Sequence, residues 1–165
     1  MSKATRYAQS VLEKYWDRKL PINLEKIIEN IQKSMNKSDI NFSYESLDEG
    51  ISGSINYDKT NECFHIKVNN NKHIHHQRFT LAHELGHYAL SHGEKYDNEK
   101  TLFRNGHSDP DEVEANAFAA EILMPKVVVN MLIFEEGIVE VQSLANIFKV
   151  SELAMRYRLK NLGIL

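Results

Sequence analysis

The sequence predicts an α+β fold organised as one domain, and three observations carry that expectation. Apolar residues recur at helical spacing towards both ends of the chain. Between residues 40 and 70 they alternate instead with polar residues, the period of half-buried strands. No internal repeat, low-complexity tract or Pro/Gly/Ser-rich linker divides the 165 residues, a length that suits one core and leaves little room for a second.

The elements follow in order. Ala4, Tyr7, Ala8, Val11, Leu12, Tyr15 and Trp16 mark a first helix, which Pro21 ends. Leu24, Ile27, Ile28 and Ile31 give a second helix its buried side, and polar residues 34–39 form a loop. Three strands are expected from Ile40, Phe42 and Tyr44, from Ile51, Gly53, Ile55 and Tyr57, and from Phe64, Ile66 and Val68. Residues 58–62 supply the turn between the last two, so the expected sheet is small, three-stranded and largely antiparallel. A long helix should cover about residues 75–91 and stop at Gly93. A polar segment follows, within which residues 101–104 add a short strand. Asp109 as N-cap, Pro110 at the first helical position and Glu112 closing a capping box announce the next helix. Pro125 stops it, and two or three shorter helices fill residues 126–165.

Composition excludes several classes of function. Lys+Arg 20 against Asp+Glu 23 gives a net charge of −3, so no chain-wide electrostatic footprint for nucleic acid or anionic membrane exists. Cys63 stands alone, which excludes an internal disulfide framework and a Cys-rich zinc module and fits a reducing compartment. The most apolar window, residues 127–134, is far short of a membrane span, and residues 1–20 lack the apolar core of a signal peptide. The expected location is cytoplasmic, with no membrane partner.

Histidine is the conspicuous residue: of eight, five lie between His73 and His87. His83-Glu84-Leu85-Gly86-His87 puts two imidazoles four residues apart, on one face of a helix, where both can converge on one metal ion. Neutral imidazole suits zinc, and Glu84 can lie beside the water that such an ion activates. Gly86 costs this helix about 1 kcal/mol relative to Ala, which calls for close approach by another backbone or by the metal site. Catalytic zinc takes three protein ligands. A third histidine six residues on is excluded, because Leu90 stands where a glycine is required and Gly93 where the ligand is required. A carboxylate from the helix after Pro110 remains. Asp111 and Glu112 are accounted for by the macrodipole and the capping box, whereas Glu114 and Glu121 lie beside Ala117 and Phe118, where an ionised group needs a partner. Only one of them can reach the ion, since two helical turns span about 10 Å.

The motif at 83–87 and the run Asp109-Pro110-Asp111-Glu112-Val113-Glu114-Ala115-Asn116-Ala117-Phe118-Ala119-Ala120-Glu121-Ile122-Leu123-Met124-Pro125 closely resemble the ImmA/IrrE family of gluzincin-like metallopeptidases. The resemblance is dense from about Arg78 to Pro125 and looser on either side. It implies a zincin-like metallopeptidase domain over residues 1–125 with a C-terminal helical region, 126–165, packed on it. It further implies one zinc ion per chain, held by His83, His87 and Glu114 (the Glu of the Glu-Ala-Asn triplet), with Glu84 catalytic. The substrate class implied is a helix-turn-helix repressor of a prophage, mobile element or stress response, inactivated by cleavage. The alternative reading is a zinc-stabilised regulatory protein that binds a partner protein or DNA without turnover.

Other features carry less. His73, His75 and His76 at a helix start read as solvated. His92, His107, Tyr88, Tyr96 and Arg104 are each candidates to polarise a substrate carbonyl, and Cys63 reads as a small, partly buried residue. Residues 143–163 resemble a helix-turn-helix and are locally basic through Lys149, Arg156, Arg158 and Lys160, but Lys149 stands where such a turn favours glycine. Packing or protein docking is therefore expected of them rather than DNA contact. The strand at 51–57 is expected to lie at a sheet edge, where Gly53 and Ser54 let an extended substrate peptide approach.

Overall fold

The computed structural model describes residues 1–35, 39–93 and 109–165, and the backbone of 95–98. Two N-terminal helices, α1 (Lys3–Tyr15) and α2 (Leu24–Ser34), precede strands β1 (Ile40–Glu45), β2 (Ile51–Asp58) and β3 (Cys63–Asn69). Helix α3 (Ile74–Ala89) and strand β4 (Lys95–Asn98) follow, then α4 (Pro110–Leu123) and α5 (Lys126–Asn130). A single π-turn (Met131–Glu135) leads to α6 (Val141–Phe148) and α7 (Glu152–Asn161). The α+β expectation is met; the expected strand at 101–104 lies outside the described residues.

The sheet differs from expectation in two ways. Its order is β1-β3-β2-β4, with β1 parallel to β3, and β2 antiparallel to both β3 and β4. β1 and β2 therefore do not form a hairpin. Buried Asn69, at the end of β3, is the physical reason. Its amide donates to the carbonyls of Leu47, Asp48 and Ile51 and its oxygen accepts from Leu47 N–H. One side chain thus satisfies the backbone of the β1–β2 connection and seats β3 between the two strands. Strand β4 then covers the other side of β2, pairing with Ile51, Gly53, Ser54 and Ile55. Residues 95–98 hold a single aromatic, Tyr96, among polar residues, so the sequence shows no strand alternation there.

Helix α3 lies under β2 and β3 and against α4, and every residue from Thr80 to His87 is buried. Gly86 lets α3 and α4 cross closely, since a Cβ there would stand 3.1–3.2 Å from Ala115 and Phe118 of α4. α1 packs on α4 from the far side. Two arginines tie down the C-terminal helices. Arg78 of α3 donates to the carbonyls of Ile22, Phe148 and Lys149, and desolvation lowers its pKa. Arg158 of α7 donates to Met124 O and to the Glu121 carboxylate of α4. Lys149 takes the left-handed conformation between α6 and α7, with φ 54°, despite carrying a side chain. Arg158, one of the four cations that make residues 143–163 locally basic, is buried.

Candidate metal centre

Helical spacing on α3 brings His83 and His87 together as expected: their Nε2 atoms are 3.0 Å apart and both side chains are fully buried. The third group differs from the expectation. Glu112, not Glu114, faces the pair, with Oε2 3.2 Å from His83 Nε2 and Oε1 3.3 Å from His87 Nε2. Asp109 caps α4 by accepting from Asp111 N–H. The Glu112 carboxylate, which the capping-box reading assigned to the helix start, is directed at α3 instead. Glu114 lies two residues on, about 200° around the helix. Its carboxylate is 36% exposed and accepts from His92 Nε2 at 3.0 Å. The sequence does hold a signal that separates the two acids. Glu112, Ala115, Asn116 and Ala119 share one helical face, and its small residues mark the side that meets another helix. Glu121, the other candidate, is occupied by Arg158 and by Gln9 Nε2 at 3.1 Å.

The donor set fits a metal ion. Ligand atoms of His83, His87 and Glu112 all lie within 4.8 Å of one another, the only such group of three among the described residues. Each outer ring nitrogen is engaged. The Asn116 carbonyl oxygen lies 2.9 Å from His83 Nδ1, which must therefore carry the proton, leaving the Nε2 lone pair to point inward. His87 Nδ1 is 2.9 Å from His92 Nδ1. Two imidazole nitrogens and a carboxylate, buried together, form the nitrogen and oxygen donor set that zinc takes with three protein ligands.

Glu84, beside the first histidine, is also fully buried. It sits where α3 passes under β2: a Cβ on Gly53 would be 3.1 Å from Glu84 Oε1, 2.8 Å from Lys67 O and 2.5 Å from Thr80 Cγ2. This corrects the expectation that Gly53 and Ser54 lie on a sheet edge. Both are buried, and β2 is an interior strand paired on each side, so neither offers a free edge to a peptide. Gly53 is small because α3 and its Glu84 pass close beneath it.

A cleft of about 390 Å³ opens at the end of α3, lined by His87, Tyr88, Ala89, Ser91 and Gly93 with Asp39 and Phe64 across from them. Tyr88 does not face it as a free acid. Its hydroxyl donates to Asp39 Oδ1 at 2.5 Å, and burial with that carboxylate pushes the phenol above its ordinary pKa. His73 accepts from His75 N–H at the start of α3, and His76 Nε2 lies 2.9 Å from Ser52 Oγ, so these two histidines have local structural contacts. His107 and Arg104, and the side chain of Tyr96, lie outside the described residues.

The family model described as the IrrE N-terminal-like domain, peptidase family M78, matches residues 35–160. The chain belongs to this ImmA/IrrE family. The matched stretch contains both histidines, Glu84 and Glu112, and thus the whole buried cluster. The chain is also similar to the uncharacterized immunity region protein 2 of Bacillus phage phi105, 39% identical over 87 residues. That match covers 52% of each sequence, so the M78 chain spans about half the length of this curated relative. Among the described residues no single helix is long and apolar enough to cross a membrane.

Proposed function

We propose that the protein is a cytoplasmic zinc-dependent endopeptidase whose substrate is a helix-turn-helix transcriptional repressor, and whose cleavage of it derepresses prophage, mobile-element or stress genes. The observation that carries the reading is the buried cluster of His83, His87 and Glu112 with Glu84 on the same helix. Membership of a peptidase family supports the reaction class, and the immunity-region name of the phage relative supports a regulatory substrate.

In this reading His83 Nε2, His87 Nε2 and the Glu112 carboxylate hold one zinc ion. When bound, zinc supplies Lewis acidity, lowering the pKa of water and polarising a carbonyl. The chain does the rest. Asn116 fixes the tautomer of His83 so that its lone pair faces the ion. Glu84 takes the proton of the attacking water on a carboxylate oxygen and returns it to the amine nitrogen that leaves. Its burial between α3 and β2 holds that carboxylate in one place and keeps bulk water from it. In this reading the cleft lined by His87 receives substrate.

The test uses the wild-type chain and Glu84→Gln against a helix-turn-helix repressor encoded next to its gene. Wild type should cleave the repressor, while the variant keeps fold and zinc but loses cleavage, because an amide cannot take the water's proton. Equal binding of the repressor by both proteins, with no cleavage by either, would instead favour a non-hydrolytic binding protein.

A further inference from the structure

The turn that ends α3 carries a second histidine contact. Leu90 is the C-cap, and Ser91 follows in the left-handed conformation with φ 60° although it is not glycine. His92 N–H donates to His87 O at 2.9 Å and Ser91 N–H to Tyr88 O at 3.1 Å, the two bonds of a Schellman turn. This reversal folds the His92 ring back beneath His87, so the two Nδ1 atoms meet at 2.9 Å. Beyond it, His92 Nε2 reaches Glu114 Oε2 at 3.0 Å and, more distantly, Asp111 Oδ1 at 3.6 Å. The His92 side chain is only 6% exposed. A strained residue at the turn and a buried ring between two partners form a built arrangement rather than a surface encounter.

We infer that His92 and Glu114 are positioning residues, a two-residue relay that sets the tautomer and orientation of the ligand His87. The ligand role of His87 Nε2 sets the direction. A carboxylate only accepts, so His92 Nε2 carries a proton towards Glu114. With its proton on Nε2, His92 presents a lone pair at Nδ1, which accepts from His87 Nδ1–H. His87 Nε2 is left with its lone pair facing His83 and Glu112, the form a metal ligand needs. If the order were reversed, with His92 donating to His87 Nδ1, neutral His87 would carry its proton on Nε2 and block its own ligation. His83 is served by one amide, Asn116, whereas His87 is served by an imidazole and a carboxylate in series. Glu114, the acid that motif resemblance placed on the metal, acts here one residue removed from it.

The inference rests on the metal reading of His83, His87 and Glu112, and the experiment separates the two. Zinc affinity of the full chain is measured by competition with a chelator, alongside thermal unfolding of the metal-free protein. His92→Ala should weaken zinc binding about 10- to 100-fold with metal-free stability near wild type. His92→Asn, whose Oδ1 stands close to the position of the imidazole Nδ1, should restore affinity to within a few-fold. Glu114→Ala should weaken binding in the wild-type background and have no further effect in His92→Asn, where the link to Glu114 is already cut. Nitrogen-15 correlation spectra of the zinc-loaded protein should show the proton of His92 on Nε2. Wild-type zinc affinity in His92→Ala, or a His92 proton on Nδ1, overturns the relay. Undiminished zinc binding in Glu112→Ala and His87→Ala would overturn the metal reading itself.

Discussion

A Cβ placed on Gly86 would stand 3.2 Å from the Ala115 carbonyl oxygen, so α3 and α4 meet backbone to backbone at this point. Glu112 lies one helical turn before Ala115, and His83 and His87 flank Gly86. The crossing therefore sets how far the carboxylate sits from the two imidazoles.

Gly86→Ala tests that dependence. Alanine improves intrinsic helix propensity by about 1 kcal/mol, but here its methyl would also meet Phe118 Cδ1 at 3.1 Å, tighter than ordinary contact. Overpacking should win, with a net loss of about 1–3 kcal/mol in denaturant unfolding. As α4 is pushed outward, zinc content should fall with stability. A variant more stable than wild type with full zinc content would show that the crossing is loose.

The choice between the two nearby acids is checked by metal content. Glu112→Ala should purify without stoichiometric zinc. Glu114→Ala should still take up one zinc per chain at saturating metal, though more weakly, because its carboxylate meets His92 rather than the pair. Elemental analysis after dialysis distinguishes the outcomes, and the reverse pattern would return the ligand role to Glu114.

Glu121 and Arg158 form a buried ion pair joining α4 to α7, with relative exposures of 2% and 8% for the two side chains. Removing one partner strands the other charge. Arg158→Met should cost about 3–5 kcal/mol in equilibrium unfolding, whereas Glu121→Leu combined with Arg158→Met should recover most of it. Duplex DNA binding should be unaffected by either, since Arg158 is not on the surface.

Alkaline titration should reveal Tyr44 and Tyr88 as late tyrosines. Burial and the Glu25 carboxylate raise the Tyr44 pKa, and burial and the Asp39 carboxylate raise that of Tyr88. A raised folded pKa means the stabilisation is complete below the unfolded value, about 10, and is lost as pH climbs through the higher folded values. Absorbance titration should show the Tyr44 and Tyr88 phenols ionising above this value, and Tyr44→Phe and Tyr88→Phe should each remove one late component.

Local sequence determined a good deal of this protein. The period of α3 placed His83 and His87 on one face, because a spacing of four is a property of any helix and needs no partner. Asp109 and Pro110 announced the start of α4, and Gly86 signalled a close approach before its neighbour was known. Two decisions belonged to tertiary structure alone. Ala115 and Ala119 mark a face of α4 that meets another helix, but only the rotation of α4 against α3, set at Gly86, Ala115 and Phe118, turns Glu112 inward and Glu114 towards His92. Likewise the alternation at 51–57 marked β2 as a strand but could not say whether its edge was free. That depended on β4, whose sequence shows no apolar–polar alternation, and on Asn69, which holds β3 between β1 and β2. Periodicity reports which side of an element is buried; which neighbour buries it is decided by contacts between residues distant in the chain.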